Sequence, residues 1–236
     1  MPKILECQNI EVRYGFKKAV KSISFVVERG QSVALVGKNG AGKTSTLKAL
    51  IGYVPLRRGN IQIMGRTPSD WRIFETLGFA PETGTPPEYL SAAEYLKFIA
   101  KLKLIRSKEN EETISELLSV FDLEPEKKIR EYSKGMKRRL VLAQAFVGMP
   151  ALVILDEPLN GLDPVMIMRL RDWDNQCRKR GMTVIYSSHI LSEVEKCCDR
   201  LILIHQGEVL VDQLIDEIKA ENGGVEQLFY EKVGKS

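Results

Sequence analysis

The feature that most constrains the fold of this 236-residue chain is a set of short, largely apolar runs separated by stretches with helical periodicity. They read SVALVG (32–37), ALVIL (151–155), TVIYSS (183–188) and LILIH (201–205). Runs that are apolar throughout, rather than at alternate positions, suit strands buried on both faces of a sheet. Their alternation with helical patterns such as TSTLKALIG predicts an α/β fold with a mostly parallel sheet.

Two regions depart from this core pattern. ILECQNIEVRY and AVKSISFVVERG, within the first thirty residues, predict antiparallel strands beside the core. After the linker GTPPEY (84–89), a capping box at SAAE (91–94) precedes two apolar stripes at helical spacing. The stripes are Tyr95, Phe98, Ile99 and Leu102, then Ile114, Leu117, Leu118 and Phe121. We therefore expect a helical subdomain at about 83–148, inserted into a core formed by about 1–82 and 149–236.

Composition is that of an ordinary soluble domain, with 44% apolar and 28% charged residues. The net charge of +4 is spread among interspersed acids and bases and does not indicate nucleic-acid binding. The cysteines lack metal-site spacing and no signal peptide is visible, so we expect reduced thiols and a cytosolic location. No apolar run approaches the ~18–20 residues of a membrane span, so a membrane role requires another chain.

GKNGAGKT (37–44) fits the pattern G-x-x-x-x-G-K-[ST] and lies between a predicted strand and a predicted helix. Its glycines allow the backbone to curl and direct N–H groups inward, and the helix adds its positive end. Lys43 is suited to neutralise β- and γ-phosphate charge, and the Thr44 hydroxyl to ligate Mg²⁺. The loop predicts binding of a nucleoside triphosphate.

Polar residues end two of the predicted strands. Asp156 and Glu157 follow ALVIL, and His189 follows TVIYSS. Because carboxyl ends of parallel strands share one edge, where ligands bind, we expect Asp156 near the phosphate loop, holding Mg²⁺ through water. Glu157 is expected to polarise an attacking water. The alternatives are that Asp156 caps a turn before Pro158 and that His189 is a buried, satisfied imidazole.

A second anion-binding end is predicted at 133–135. Ser133 offers a hydroxyl at a helix start near Met136, Gly135 exposes backbone N–H groups, and Lys134 adds a charge. The following run of cations, 137–139, is interpreted as a solvated basic helix start.

Together, and in this order, the motifs resemble those of the ATP-binding cassette (ABC) ATPases. GKNGAGKT resembles Walker A, YSKGM (132–136) the signature, LVILDEP Walker B, NGLD (160–163) the D-loop, and His189 the switch histidine. The resemblance runs from Leu5 to about Gly207, and the 96 residues from Gly37 to Ser133 match a single compact cassette.

The resemblance implies one ABC ATPase domain over 1–236 with a P-loop NTPase core, like that of RecA, binding ATP and Mg²⁺. It implies catalytic roles for Lys43, Glu157 and His189, and adenine stacking on Tyr14. The implied phosphate-loop residues are Gly37, Lys38, Asn39, Gly40, Ala41, Gly42, Lys43, Thr44 and Ser45. The implied contacts from a second subunit are Ser133, Lys134, Gly135 and Asp163, and the implied metal ligands are Thr44, Asp156 and Glu82.

Two positions depart from the family pattern. Glu82 stands where the family has a glutamine, although a carboxylate also ligates Mg²⁺. YSKGM replaces three residues of the usual LSGGQ but keeps Ser133 and Gly135. The sequences APE and YSKGM are similar to a subfamily that mostly drives export.

The family further implies a head-to-tail dimer of identical subunits that sandwiches ATP and drives a separate multi-span permease at the inner face of the cell membrane. One alternative is a soluble ABC ATPase acting on ribosomes or nucleic acid. Repair-type members carry long coiled-coil insertions and translation factors usually carry two cassettes, neither of which is present here. The other alternative, a regulatory cassette without turnover, is opposed by Lys43, Glu157 and His189.

Overall fold

The computed structural model describes residues 2–105 and 107–234. The chain divides into two compact units, which are described separately below. The first joins Met1–Trp71 with Thr183–Ser236, and the second is Arg72–Met182. The predicted helical subdomain falls inside the second unit, and its boundaries stay a prediction.

The first unit contains the amino-terminal hairpin and most of the parallel strands. Its elements are β1 Lys3–Tyr14, β2 Lys17–Glu28, β3 Ser32–Val36, α1 Lys43–Leu50, β4 Arg58–Ile63, β7 Thr183–Ser188, α6 Leu191–Cys197, β8 Arg200–His205, β9 Glu208–Leu214, α7 Ile215–Asn222 and α8 Val225–Val233. The strands are ordered β4-β1-β2-β9-β8-β3-β7.

Strand pairing in this unit confirms the predicted mixture of directions. β1 and β2 are antiparallel, whereas β3 runs parallel to both β7 and β8. Every residue of β3 and β7 is buried, as the continuous apolar runs required. Val36 lies opposite Ser188 on one side and Leu203 on the other, so these three strands end at one edge.

The second unit contains the helices predicted between 83 and 148 and two parallel strands. Its elements are the 3₁₀ helix Trp71–Glu75 at its border, β5 Leu77–Ala80, α2 Ala92–Leu102, α3 Ser107–Val120, the 3₁₀ helix Ile129–Glu131, α4 Lys134–Ala145, β6 Leu152–Asp156 and α5 Pro164–Lys179. β5 pairs with β6 from Leu77↔Leu152 to Ala80↔Leu155. α4 packs closely on β5, because a Cβ added to Gly78 would lie 1.7 Å from the Ala145 carbonyl oxygen.

The helical patterns were predicted with one error. The capping box at Ser91 and Glu94 is present, and the second stripe, from Ile114 to Phe121, is buried. The first stripe is right only in part, since Tyr95 is 7% exposed but Phe98 is 46% and Leu102 63% exposed. Beside Tyr95, the helix buries Ala92, Ala93, Leu96 and Ala100. Because alanine side chains are small, this face of the helix can approach its neighbours closely. Hydrophobic spacing alone does not predict that this face is the buried one.

Within the described part of the chain, every helix is too short or too polar to cross a lipid bilayer. The cysteines Cys7, Cys177, Cys197 and Cys198 are all buried.

Candidate functional site

The glycine-rich loop joins β3 to α1 in the first unit, as predicted. Gly40 and Gly42 adopt positive φ angles of 82° and 113°, and Gly42 is the residue that precedes the first turn of α1. The Ala41 N–H donates to the Lys38 carbonyl at 3.0 Å, which closes the turn. The loop therefore curls back on itself immediately before the positive end of a helix, a geometry that binds anions.

Crowding explains why glycines occupy two positions of this loop. A Cβ at Gly37 would lie 2.3 Å from the Ile204 carbonyl oxygen, and one at Gly42 would lie 2.7 Å from the Ala19 carbonyl oxygen. The Gly207 N–H also donates to the Ala41 carbonyl at 2.9 Å. The loop is thus held between β2 and the turn that joins β8 to β9.

Two lysines of the loop have different surroundings. Lys43 is only 6% exposed, and its ammonium donates to the Gly37 carbonyl at 2.8 Å, so the charge lies beside the loop backbone. The Lys38 ammonium donates to the Val233 carbonyl at 2.9 Å, at the end of α8. Lys43 therefore lies inside the loop, whereas Lys38 links the loop to the last helix.

The remaining predicted residues of this unit lie at strand ends. His189 is exposed directly after β7, and its predecessor Ser188 is paired with Val36, which immediately precedes the loop. The alternative of a buried imidazole is therefore wrong. Tyr14 ends β1 and is 47% exposed, which leaves ring surface accessible for stacking.

The acidic pair lies in the second unit. Asp156 is the last residue of β6 and is 2% exposed; Glu157 is 6% exposed and has a positive φ of 46°. Glu82 is exposed two residues after β5, the parallel neighbour of β6, so it belongs to the same edge. A long contact of 3.5 Å joins the Asn160 amide nitrogen to Glu82 Oε1. Proximity of Asp156 to the phosphate loop stays a prediction.

The signature segment begins α4, two residues earlier than expected. Ser133 caps the helix, because its Oγ accepts from the Met136 N–H at 3.2 Å. Ser133 and Lys134 are exposed, and Gly135 is half-buried. The segment has the polar, accessible helix start that a second anion site requires.

The interpretation of the next three cations as merely solvated is wrong. Lys137 pairs with Glu88 at 2.6 Å, and Arg139 pairs with Asp122 at 2.6 Å. Arg138 reaches backbone carbonyl oxygens near both acidic segments of this unit. Sequence reasoning missed that role because backbone acceptors carry no residue-type signal.

Asp163 has a structural role that its motif does not reveal. Its Oδ1 accepts from the Met166 N–H at 2.9 Å, which caps α5 ahead of Pro164. Its predicted contact with nucleotide across a dimer stays a prediction.

The predicted metal ligands, Thr44, Asp156 and Glu82, are all hard oxygen donors. Within the described residues, no three His, Cys, Asp or Glu side chains form a metal-binding group. Mg²⁺ usually takes one or two protein ligands and completes its shell with water and phosphate oxygens, so the donor types fit it.

Comparison with known proteins gives consistent results. The family model described as ABC transporter matches residues 20–160. An uncharacterized ABC transporter ATP-binding protein of Nostoc sp., all4389, is 38% identical over 204 residues, which are 85% of this chain and 61% of that protein. The chain therefore spans about three fifths of that relative's length.

Other relatives match over nearly their full length. The lantibiotic transport ATP-binding protein SrtF of Streptococcus pyogenes is 34% identical over 234 residues, covering 98% of this chain and 97% of SrtF. A solved structure described as an ATP binding subunit of an ABC transporter superposes with a TM-score of 0.90 at 33% identity, covering 97% of this chain and 98% of that one.

Proposed function

This chain belongs to the ABC transporter family, and on that premise we propose that it is an ATP-hydrolysing subunit that drives a separate membrane permease. The observation that carries the proposal is the phosphate loop, with buried Lys43 beside the Gly37 carbonyl and the helix α1 behind it. The proposed location is the inner face of the cell membrane, in contact with the permease.

In the proposed binding step, Tyr14 stacks on adenine and the loop from Gly37 to Ser45 holds the phosphates. The Lys43 ammonium leaves the Gly37 carbonyl for β- and γ-phosphate oxygens, so the charged donor exchanges a neutral acceptor for an anionic one, which makes a stronger contact. Thr44, Asp156 and Glu82 would hold Mg²⁺, which when bound neutralises charge on the phosphates.

In the proposed chemical step, water attacks the γ-phosphorus and the bond to the β–γ bridging oxygen breaks. Glu157 accepts the proton of the attacking water, and His189 hydrogen-bonds the γ-phosphate. A positioned general base contributes typically ~10²–10⁴ in rate. The position of Glu157 directly after β6 supports this assignment, because ligands bind at the carboxyl ends of parallel strands.

The second anion site is proposed to act across a head-to-tail dimer. Ser133, Lys134 and Gly135 of one copy contact the γ-phosphate bound by the other, and Asp163 contributes at the same interface. Two copies then enclose two ATP molecules, and hydrolysis reopens them. Export is the proposed direction, since APE and YSKGM are similar to a subfamily that mostly drives export. SrtF, which aligns with 98% of this chain, is named for lantibiotic transport.

The decisive test removes the base and leaves the binding groups. Glu157→Gln keeps the shape of the side chain but cannot accept the proton, so ATP should convert the monomer to a stable dimer in gel filtration, with two nucleotides retained. The dimer should fade as ATP is withdrawn, because only the closed form binds it in this way.

A second substitution tests the site in trans. Adding Ser133→Arg to Glu157→Gln should abolish the dimer and leave ATP binding by the monomer nearly unchanged. Persistence of the dimer, or loss of monomer binding, would refute the trans arrangement.

Cysteines introduced at Thr85 and Tyr89, both exposed, should cross-link to a multi-span membrane protein. Capture of ribosomes or DNA instead would refute the transport role.

A further inference from the structure

Arg138 connects three separate segments of the second unit. It lies on α4, five residues after Ser133, and its guanidinium donates to four carbonyl oxygens. Nη1 reaches Pro81 at 2.5 Å and Glu82 at 3.1 Å, and Nη2 reaches Asp156 at 3.0 Å and Glu157 at 2.7 Å. One side chain on the signature helix thus binds the backbones of the segments after β5 and β6.

The hydrogen-bonding capacity of this guanidinium is nearly used up. An arginine has five N–H donors, and the two terminal nitrogens supply four of them, which matches the four carbonyl acceptors. The fifth donor, on Nε, is buried. Arg138 is therefore not available to bind phosphate.

Charge strengthens this set of contacts. Burial lowers the pKa of the Arg138 guanidinium, while the carboxylates of Glu82, Asp156 and Glu157 act in the opposite direction. An arginine stays protonated in proteins, so its bonds to the carbonyls are charge-assisted. The cation is also attracted to the acids whose backbones it holds.

The contact with Glu157 falls on a strained residue. A φ of 46° is uncommon for a residue other than glycine and is maintained only when surrounding contacts impose it. The Glu157 carbonyl accepts from Arg138 Nη2 and from the Asn160 N–H at 3.2 Å. Because these bonds fix the peptide that follows Glu157, they also help to fix the direction in which its side chain leaves the backbone.

We propose that Arg138 is a positioning residue that aligns Glu157 and Glu82 for hydrolysis and makes that alignment depend on the signature helix. The inference rests on the function proposed above. When a second copy engages Ser133, a displacement of α4 is transmitted through Arg138 to the backbone of the base. Arg138 itself does not touch the reacting atoms.

The test compares Arg138→Gln and Arg138→Lys with Lys137→Gln. The control loses one charge at the neighbouring position of the same helix, where Lys137 pairs with Glu88 near the surface. Arg138→Gln should lower kcat roughly 10- to 100-fold, since misplacement of a catalytic group by about 1 Å has an effect of that order. The KM for ATP and the monomer's ATP affinity should stay within about 2-fold, because the phosphate loop lies in the other unit.

Arg138→Lys keeps the charge but has a single nitrogen, which cannot bond two pairs of carbonyls, so it should not restore kcat. It also serves for the measurement if the glutamine variant is unstable. In a Glu157→Gln background, Arg138→Gln should cause no further loss of residual hydrolysis, because the two residues act as a unit. Lys137→Gln should behave as the wild type.

The outcomes separate this inference from the proposed function. If the wild-type chain does not hydrolyse ATP, the proposed function fails. If the wild type is active and Arg138→Gln retains its kcat, or if the losses from Arg138→Gln and Glu157→Gln multiply, the positioning role is overturned. Restoration of kcat by Arg138→Lys would likewise overturn it, since charge rather than the shape of the fork would then suffice.

Discussion

The starts of α1 and α4 are both proposed anion sites, yet they are built differently. α1 begins after Gly42, a backbone-only start, with the charge of Lys43 on its first residue. α4 begins after Ser133, whose hydroxyl already accepts from the Met136 N–H. No side chain caps the first start, whereas the Ser133 hydroxyl satisfies one N–H group at the second.

The glycines at these two helix starts, Gly42 and Gly135, also differ in their surroundings. Gly42 is required by its own chain, because its φ is 113° and the Ala19 carbonyl oxygen lies 2.7 Å from where a Cβ would be. Gly135 lies in α4 with room around it, the nearest atom being Ser133 Oγ at 3.9 Å. Nothing in the described fold requires a glycine at 135, and the open space there is compatible with the proposed approach of a second molecule.

The largest expected effect tests the charge at the start of α1. Lys43→Ala should reduce ATP hydrolysis at least about 100-fold, because a preorganised donor to the phosphates is removed. Lys48→Ala, in the same helix, should retain activity, since the Lys48 ammonium lies over the Tyr53 ring at 5.9 Å and not in the loop. Turnover and nucleotide affinity would be measured for both, and near-wild-type turnover in Lys43→Ala would contradict the assignment.

The next effect tests the two glycines. Gly42→Ala should lower the free energy of unfolding by roughly 1–3 kcal/mol, because it strains the backbone and meets Ala19. Gly135→Ala should raise it by about 0.5–1 kcal/mol, since alanine suits a helix better. Urea unfolding measures both.

The substitution Gly135→Ala should increase stability but weaken dimerisation. In the Glu157→Gln background, Gly135→Ala should weaken ATP-dependent dimerisation, because the added methyl group obstructs the approach of the partner's phosphate. A variant that is both more stable and fully able to dimerise would show that the signature glycine has no role at an interface.

The last comparison concerns the cap of α4. Ser133→Ala should lower the free energy of unfolding by about 1 kcal/mol, the usual effect of losing a capping side chain. Ser133→Asp should recover that stability, yet its carboxylate should repel a γ-phosphate and prevent dimerisation. Thermal unfolding and gel filtration distinguish the two roles. Equal melting temperatures for wild type and Ser133→Ala would show that the cap contributes nothing.

Much of this architecture follows from local sequence pattern. The buried strands, the antiparallel hairpin and the loop before α1 each depend on a few adjacent residues, and all were predicted correctly. Glu157 and Asp156 were placed at the end of β6 by the same logic. Alternation of apolar strands with helices was enough to predict the parallel sheet. A strand that is buried on both faces must be apolar at every position, and this shows in its own residues.

The errors arise where tertiary packing decides. Phe98 and Leu102 match helical spacing, but α2 turns its alanine-rich side inward and leaves them exposed. Arg138 gave no signal because its partners are carbonyl oxygens from residues 18 to 57 positions away. Any residue type supplies a carbonyl, so contacts of this kind become visible only in three dimensions.

The bond between Lys38 and the Val233 carbonyl offers a place for an optical reporter. Lys232, one residue earlier, is exposed, while all four native cysteines are buried and burial raises the pKa of Cys7 and Cys177 to about 12. A Lys232→Cys substitution would therefore present the one accessible thiol in the described chain for dye attachment. The dye would sit beside the residue that Lys38 holds, so its fluorescence would follow changes in the loop without a cysteine-free background.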